Sequence, residues 1–121
     1  MTNPKDEIGA KKVNLDVVPD TGVLYSAMAL MEGARKYGSY NWRTNPVQAN
    51  IYVAAARRHL AQWWNGEDTD VSGAPHLGCA IASLMILVDA TEVGNLVDNR
   101  PPAKNITCTM DKLLKDFIPK S

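Results

Sequence analysis

The sequence predicts a mainly α fold, a small helical bundle with an extended N-terminal arm and an irregular C-terminal tail. Three observations carry that reading. Val23, Leu24, Ala27, Met28, Leu30, Met31 and Ala34 recur at helical spacing. Leu77 to Val88 is an almost continuous apolar body, too long for a buried strand. No repeat, low-complexity tract or clear β alternation occurs anywhere in the chain. Its 121 residues suffice for one core and not for two. The expected organisation is an arm over 1–18, a helical catalytic domain over 19–96 and a tail over 97–121.

Each element has a local reason. Met1 to Val18 holds Lys5, Asp6, Glu7, Lys11 and Lys12 among few large apolar residues, and Pro19 then interrupts the backbone, which reads as an extended or partly disordered arm. Asp20 or Thr21 can cap a first helix of about four turns, which Gly38 stops. Asn45-Pro46 reads as the start of a second helix, with Asn as cap and Pro at the first helical position, running to about Trp64 and ended by Asn65-Gly66. Its side carrying Tyr52, Ala55, His59 and Gln62 is small and polar in the middle, leaving room for more than packed side chains.

Ser72-Gly73-Ala74-Pro75 introduces the third helix, so apolar that it must be central to the core or buried on one side by a partner chain. His76, Cys79 or Ala80, Ser83 and Leu87 form one stripe on it, with His76 at the N-terminal end, where helix-end potential meets an acidic loop. After Gly94 the run Val97-Asp98-Asn99-Arg100-Pro101-Pro102 cannot be helix or central strand. Asp111 to Phe117 can form a short terminal helix.

Composition excludes several classes of function. The formal net charge is zero with 21% charged residues, so no global field draws the chain to nucleic acid or anionic lipid. Two cysteines, Cys79 and Cys108, make neither a disulfide framework nor a metal knuckle, which points to a reducing compartment. Met1 to Leu15 lacks the apolar core of a signal peptide, and no apolar run approaches the roughly 20 residues that span a bilayer. A cytoplasmic protein is expected, without membrane or stable nucleic-acid binding. No Gly-rich phosphate loop, nucleophile elbow or His-Asp dipeptide is present.

The chemistry-bearing stretch is the turn between the second and third helices. Glu67 and Asp70 are two carboxylates separated by two residues, flanked by Gly66 and Gly73, and the only two histidines, His59 and His76, lie on either side. Such a pair of carboxylates can hold one hard cation, since magnesium favours one or two carboxylates plus water and substrate phosphates. The same spacing also suits a solvated turn whose carboxylates cap helices. The histidines can serve as general base, as hydrogen-bonding partners of a phosphate, or as ligands of a softer metal. Arg35, Lys36, Arg43, Arg57 and Arg58 lie within reach of the turn, as phosphate clamps or as plain surface charge. Tyr37, Tyr40 and Trp42 can stack a base or simply lid one end of the bundle.

Several motifs occur together in one order: Gly33-Ala34-Arg35-Lys36-Tyr37-Gly38, Tyr40-Asn41-Trp42-Arg43, Arg58-His59 with Trp63, and Gly66-Glu67-x-x-Asp70-x-Ser72-Gly73-x-x-His76-Leu77. With Leu87-x-Asp89-Ala90 and Asp98-Asn99-Arg100-Pro101, they make the chain resemble, over roughly Val13 to Pro102, the phage-type dATP/dGTP diphosphohydrolase N-terminal domain. The resemblance implies a helical pyrophosphohydrolase, related in activity to the MazG-like enzymes, which uses divalent metal to split a deoxypurine triphosphate into monophosphate and pyrophosphate. It would shape the nucleotide pool of a phage in the host cytoplasm. On that footing Glu67 and Asp70 are expected to hold magnesium, with manganese as a substitute, and Glu32 to be an additional ligand or base. His59 and His76 would orient phosphate or transfer protons. Lys36, Arg43 and Arg58 would neutralise developing charge, with Asn41 and Trp42 completing the substrate contacts. MazG-like metal sites read Glu-Glu-x-x-Glu and Glu-x-x-Asp; only Glu67-x-x-Asp70 reproduces either spacing, and Cys79 stands where relatives often carry a second histidine.

A non-catalytic nucleotide-binding or interaction module is the alternative from another class, in which the same cations and aromatics hold a ligand without turnover. A third is a purely structural helical subunit. In every case the apolar excess of the third helix predicts self-association, as dimer or tetramer.

Overall fold

The computed structural model describes residues 3–117 and 119. It is mainly helical, with five α-helices among those residues: α1 Pro4–Gly9, α2 Asp20–Tyr37, α3 Ala49–Trp64, α4 His76–Glu92 and α5 Ile106–Asp116. Two short strands, β1 Val47–Gln48 and β2 Leu96–Val97, pair in parallel, with Val47 opposite Leu96 and Gln48 opposite Val97.

The apolar run Leu77–Val88 becomes the axis of the bundle, because α4 is the element against which both α2 and α3 pack. The backbone of Tyr25 lies against Gly78, near the start of both helices, and the loop after α2 reaches Asp89 near the end of α4. Helices α2 and α4 therefore run in the same direction, and α3 runs the opposite way. The contact at Gly78 is so close that a Cβ there would sit 2.1 Å from the Tyr25 carbonyl oxygen, a separation no real side chain tolerates. Small residues also make up most of the buried core of the bundle. Ala56, Ala80, Ala82, Ser83 and Ala90 are buried, and Ser26 satisfies its hydroxyl on the Val23 carbonyl. Each buried methyl contributes only about 0.8 kcal/mol, so a core of alanines holds a single chain weakly.

Three boundaries differ from the sequence expectation. Asn45-Pro46 does not open α3: the Val47 amide donates to the Asn95 carbonyl and the Asn45 side chain donates to the Asn41 carbonyl, so the chain pairs with β2 before turning helical at Ala49. The terminal helix starts at Ile106 rather than Asp111, because the Asn105 side chain accepts from the Cys108 amide and caps it. The arm is not uniformly extended. Asn3 accepts from the Lys5 amide and starts α1 with Pro4 at its first position, and Leu15–Val17 forms a 3-10 turn. Neither α1 nor α5 shares an extended packed interface with another element. No helix among the described residues is long and apolar enough to cross a membrane.

Candidate functional site

The C-terminal half of α3 and the start of α4 bring the two histidines together. His59 is half-buried on the α3 face turned to α4, His76 is the first residue of α4 and 2% exposed, and their Nδ1 atoms are 2.9 Å apart. One imidazole must donate and the other accept. When the pair is neutral, the donor leaves its Nε2 unprotonated and the acceptor keeps a proton on its own. The two rings thus expose one base and one acid at their outer nitrogens.

Burial is the main influence on His59 and lowers its pKa below the ordinary imidazole value; the neighbouring His76 and Arg58 lower it further, and Asp70 partly opposes them. His59 is therefore neutral at neutral pH. The Cys79 thiol, half-buried one turn along α4, is pushed up by burial and then by Asp70, which leaves it a poor nucleophile.

The loop from Asn65 to Pro75 is folded rather than merely solvated. The Glu67 amide donates to the Gln62 carbonyl, the Asp70 amide to Ala74, and the His76 amide to the Asp68 carbonyl. Asp70 ties this turn together through one oxygen: Oδ1 accepts from the Ser72 amide at 2.8 Å, the Ser72 hydroxyl at 2.5 Å and the Ala74 amide at 3.1 Å. Those bonds, the Ser72 hydroxyl foremost, hold its carboxyl below the usual range and keep it ionised. Among the described residues, Asp70 Oδ2 and the whole Glu67 carboxylate accept no hydrogen bond, and Arg58 makes no ion pair. Arg58, His59, Gln62, Glu67, Asp70 and His76 line one open depression of ≈ 300 Å³. A larger hollow of ≈ 570 Å³ lies beside α1 between Lys5 and Asn14, and it gathers no comparable set of groups.

The donor set suits a hard cation in one way and not in another. Two carboxylates with free oxygens at one rim match magnesium, which completes its octahedron with water and substrate phosphates. Among the described residues no three His, Cys, Asp or Glu side chains converge to hold a metal ion. Glu32 does not join Glu67 and Asp70. Its carboxylate is paired with Arg35 at 2.6 Å and Lys36 at 3.6 Å. In the register set by Tyr25 and Gly78, it lies level with Met85, about 14 Å along the axis from His76.

The remaining expected substrate contacts are gathered elsewhere. The Trp42 indole Nε1 donates to Asp89 Oδ2 at 2.6 Å, and Arg43 grips both Asp89 oxygens at 2.8 and 2.9 Å while stacking over Tyr40. Asn41 contributes its carbonyl to the adjoining turn, accepting from the Thr44 and Asn45 amides. Asp89 is thirteen residues along α4 from His76, about 20 Å by helical rise, so Trp42 and Arg43 do not line the depression.

Sequence reasoning missed the residues that hold this second cluster. Asn95 donates to the carbonyls of Trp42 and Asn45, and Asn99 donates to the Asn50 side chain while accepting from its amide. The one available signal was the carboxylate of Leu87-x-Asp89-Ala90, an isolated charge ending an apolar helix that needs a cationic partner. A family model described as dATP/dGTP diphosphohydrolase, N-terminal, matches residues 2–100. No curated protein and no solved structure matches the chain.

Proposed function

This chain belongs to the dATP/dGTP diphosphohydrolase N-terminal family, and on that premise we propose that it hydrolyses a deoxypurine triphosphate to monophosphate and pyrophosphate at the depression between α3 and α4. The observation that carries the proposal is the coupled histidine pair set beside two carboxylates and a free guanidinium.

Water attacks the α-phosphorus, the new bond forming from the water oxygen while the bond to the α–β bridging oxygen breaks and pyrophosphate leaves. His59 takes the proton of the attacking water at Nε2, because its depressed pKa keeps it neutral and its half-buried ring faces the depression. With His59 as the Nδ1 donor of the pair, its Nδ1 proton can then pass to His76 Nδ1 across the 2.9 Å contact, so that the positive charge is shared between the two rings. Arg58 offsets charge developing on the leaving pyrophosphate, and Gln62 donates to a phosphate oxygen. Glu67 and Asp70 Oδ2 would hold Mg²⁺ or Mn²⁺, which supplies charge neutralisation on the phosphates when bound. Such an enzyme would adjust the purine deoxynucleotide pool of a phage in its host's cytoplasm. Glu32, Lys36, Asn41, Trp42 and Arg43 take no part in this reading.

The test is product release from a panel of deoxynucleoside triphosphates with magnesium or manganese, resolving pyrophosphate from single phosphate. Pyrophosphate from dATP or dGTP, abolished by EDTA, is the expected result. A folded protein that dGTP protects against heat without turnover would replace the enzyme with a nucleotide-binding module.

A further inference from the structure

Asp70 offers the depression one oxygen and withholds the other. Its Oδ1 accepts from the Ser72 amide at 2.8 Å, the Ser72 hydroxyl at 2.5 Å and the Ala74 amide at 3.1 Å. A carboxylate oxygen has two lone pairs, so three donors leave Oδ1 nothing for a further partner. Among the described residues Oδ2 accepts no hydrogen bond, and it is the oxygen left for the depression. The carboxylate cannot swing without losing all three bonds, and the turn that carries it is itself closed. The Asp70 amide donates to the Ala74 carbonyl, the Gly73 amide donates back to Asp70, and Gly73 adopts φ +88°, a conformation that favours glycine. Two of the three donors to Oδ1 are backbone groups, so only the Ser72 hydroxyl depends on residue type. Ser72 is exposed and its hydroxyl has no need of a protein acceptor, yet it turns inward to Asp70 rather than outward to solvent.

We propose that Ser72 is a positioning residue that confines Asp70 to a single-oxygen contact with a divalent cation, and so makes the depression select magnesium or manganese over calcium. The proposal rests on the reading of Glu67 and Asp70 as the groups that hold the metal. The two kinds of cation differ in what they ask of a carboxylate. Magnesium requires a near-ideal octahedron at about 2.0–2.1 Å and uses one or two carboxylates, the remaining positions going to water and substrate phosphate. Manganese shares its preference for an octahedron of oxygens. Calcium takes roughly six to eight oxygens at about 2.3–2.6 Å and gathers them in part through bidentate carboxylates. An aspartate with one oxygen already occupied meets the first demand and fails the second. Glu67 accepts no hydrogen bond among the described residues and is under no such restraint, so the discrimination lies with Asp70. A serine that merely shaped the turn would affect all these cations alike. A serine acting through Oδ1 changes their ratio.

The experiment is titration of the full chain with Mn²⁺, the free ion being counted by its electron paramagnetic resonance signal, followed by competition with Mg²⁺ and with Ca²⁺ on the same samples. In the wild type, Ca²⁺ should displace Mn²⁺ only at concentrations about tenfold or more above those at which Mg²⁺ does. Ser72→Ala should weaken Mn²⁺ binding by about tenfold and make Ca²⁺ as good a competitor as Mg²⁺. Ser72→Thr keeps the hydroxyl and should restore both the affinity and the ratio. Ser72→Cys keeps the shape with a weaker donor and should shift the ratio in the same direction as Ser72→Ala, which preserves the test if the alanine variant does not fold. A folded Ser72→Ala chain with the wild-type ratio of Ca²⁺ to Mg²⁺ competition, whether its Mn²⁺ affinity is unchanged or reduced, would overturn the proposal and leave the metal reading standing. A wild-type chain that binds Mn²⁺ no better than Glu67→Gln would instead remove the metal reading of the depression, and the role of Ser72 with it.

Discussion

The two ends of α4 hold polar clusters of opposite character. At its C-terminal end the clustered groups are spent: both Asp89 oxygens are taken by Arg43, Trp42 adds a third donor, and Asn95 fixes the loop that carries them. At its N-terminal end the groups are only half used, since the histidines satisfy each other at Nδ1, Asp70 commits one oxygen to its own turn, and Glu67 and Arg58 are uncommitted among the described residues. A saturated cluster has no valence left for a ligand and acts as a latch. An under-used one, gathered at the rim of a depression, is where a ligand finds partners.

The largest expected effect separates these roles. Glu67→Gln and His59→Gln should each lower deoxypurine triphosphate hydrolysis by about a hundredfold or more while leaving the melting temperature near that of the parent, because neither side chain carries the core. Asp89→Asn should do the reverse. It leaves a bidentate guanidinium and an indole N–H facing a neutral amide, and the melting temperature should fall by several degrees with turnover per folded molecule unchanged. Steady-state rates beside thermal melts of the same preparations decide it. A Glu67→Gln protein that stays folded and hydrolyses dGTP at the parent rate would remove the central claim.

A smaller effect distinguishes the ends by pH. The folded His59 has a pKa below the ordinary 6.5, so the unfolded chain takes up the proton first. Stability should then fall as pH drops from about 6.5 through the folded value, and level off beneath it. Hydrolysis should decline on the same acid limb as the neutral base is lost. Asp89 is held at about 2, chiefly by Arg43 and then Trp42, so its contribution persists above the ordinary carboxylate value of 3.8 and is lost only as pH falls from there towards 2. Asp98, held at about 2 by Arg100, titrates in that same window, so the latch is read from the difference between wild type and Asp89→Asn. Melting curves across both windows should show His59→Gln flattening the upper step alone.

How much of this the sequence disclosed follows from which forces are periodic. Helices α2 and α4 stand out because burying one side of a helix imposes a 3.6-residue repeat on the apolar residues. The position of His59 on a small, polar face of α3 followed from the same repeat. Tertiary hydrogen bonds leave no period, so Asn95, Asn99 and the parallel pairing of Val47 with Leu96 were invisible. The Asn-Pro signature shows the limit most directly. At Asn3-Pro4 nothing competes and a helix forms, whereas at Asn45-Pro46 the Asn95 carbonyl captures the next amide and postpones α3 to Ala49. Trp42 and Arg43 were read as substrate contacts from their residue types and from the family resemblance, and their acceptor lay 46 residues or more away in the chain.

The smallest effect sharpens the latch. Arg43→Lys keeps the charge beside Asp89 but replaces a planar fork by a single ammonium, so the two bonds at 2.8 and 2.9 Å become at most one and the stacking on Tyr40 weakens. If Asp89 works as a geometric latch, this substitution should lower the melting temperature by a degree or two, and Asp89→Asn should then add less than it does in the wild type. Because the pair is exposed, its Coulombic share is screened by salt. The difference between Arg and Lys, which is geometric, should survive at high ionic strength. Equal melting of the wild-type and Arg43→Lys proteins in salt would reduce the cluster to simple charge pairing and dissolve the contrast between the two ends of α4.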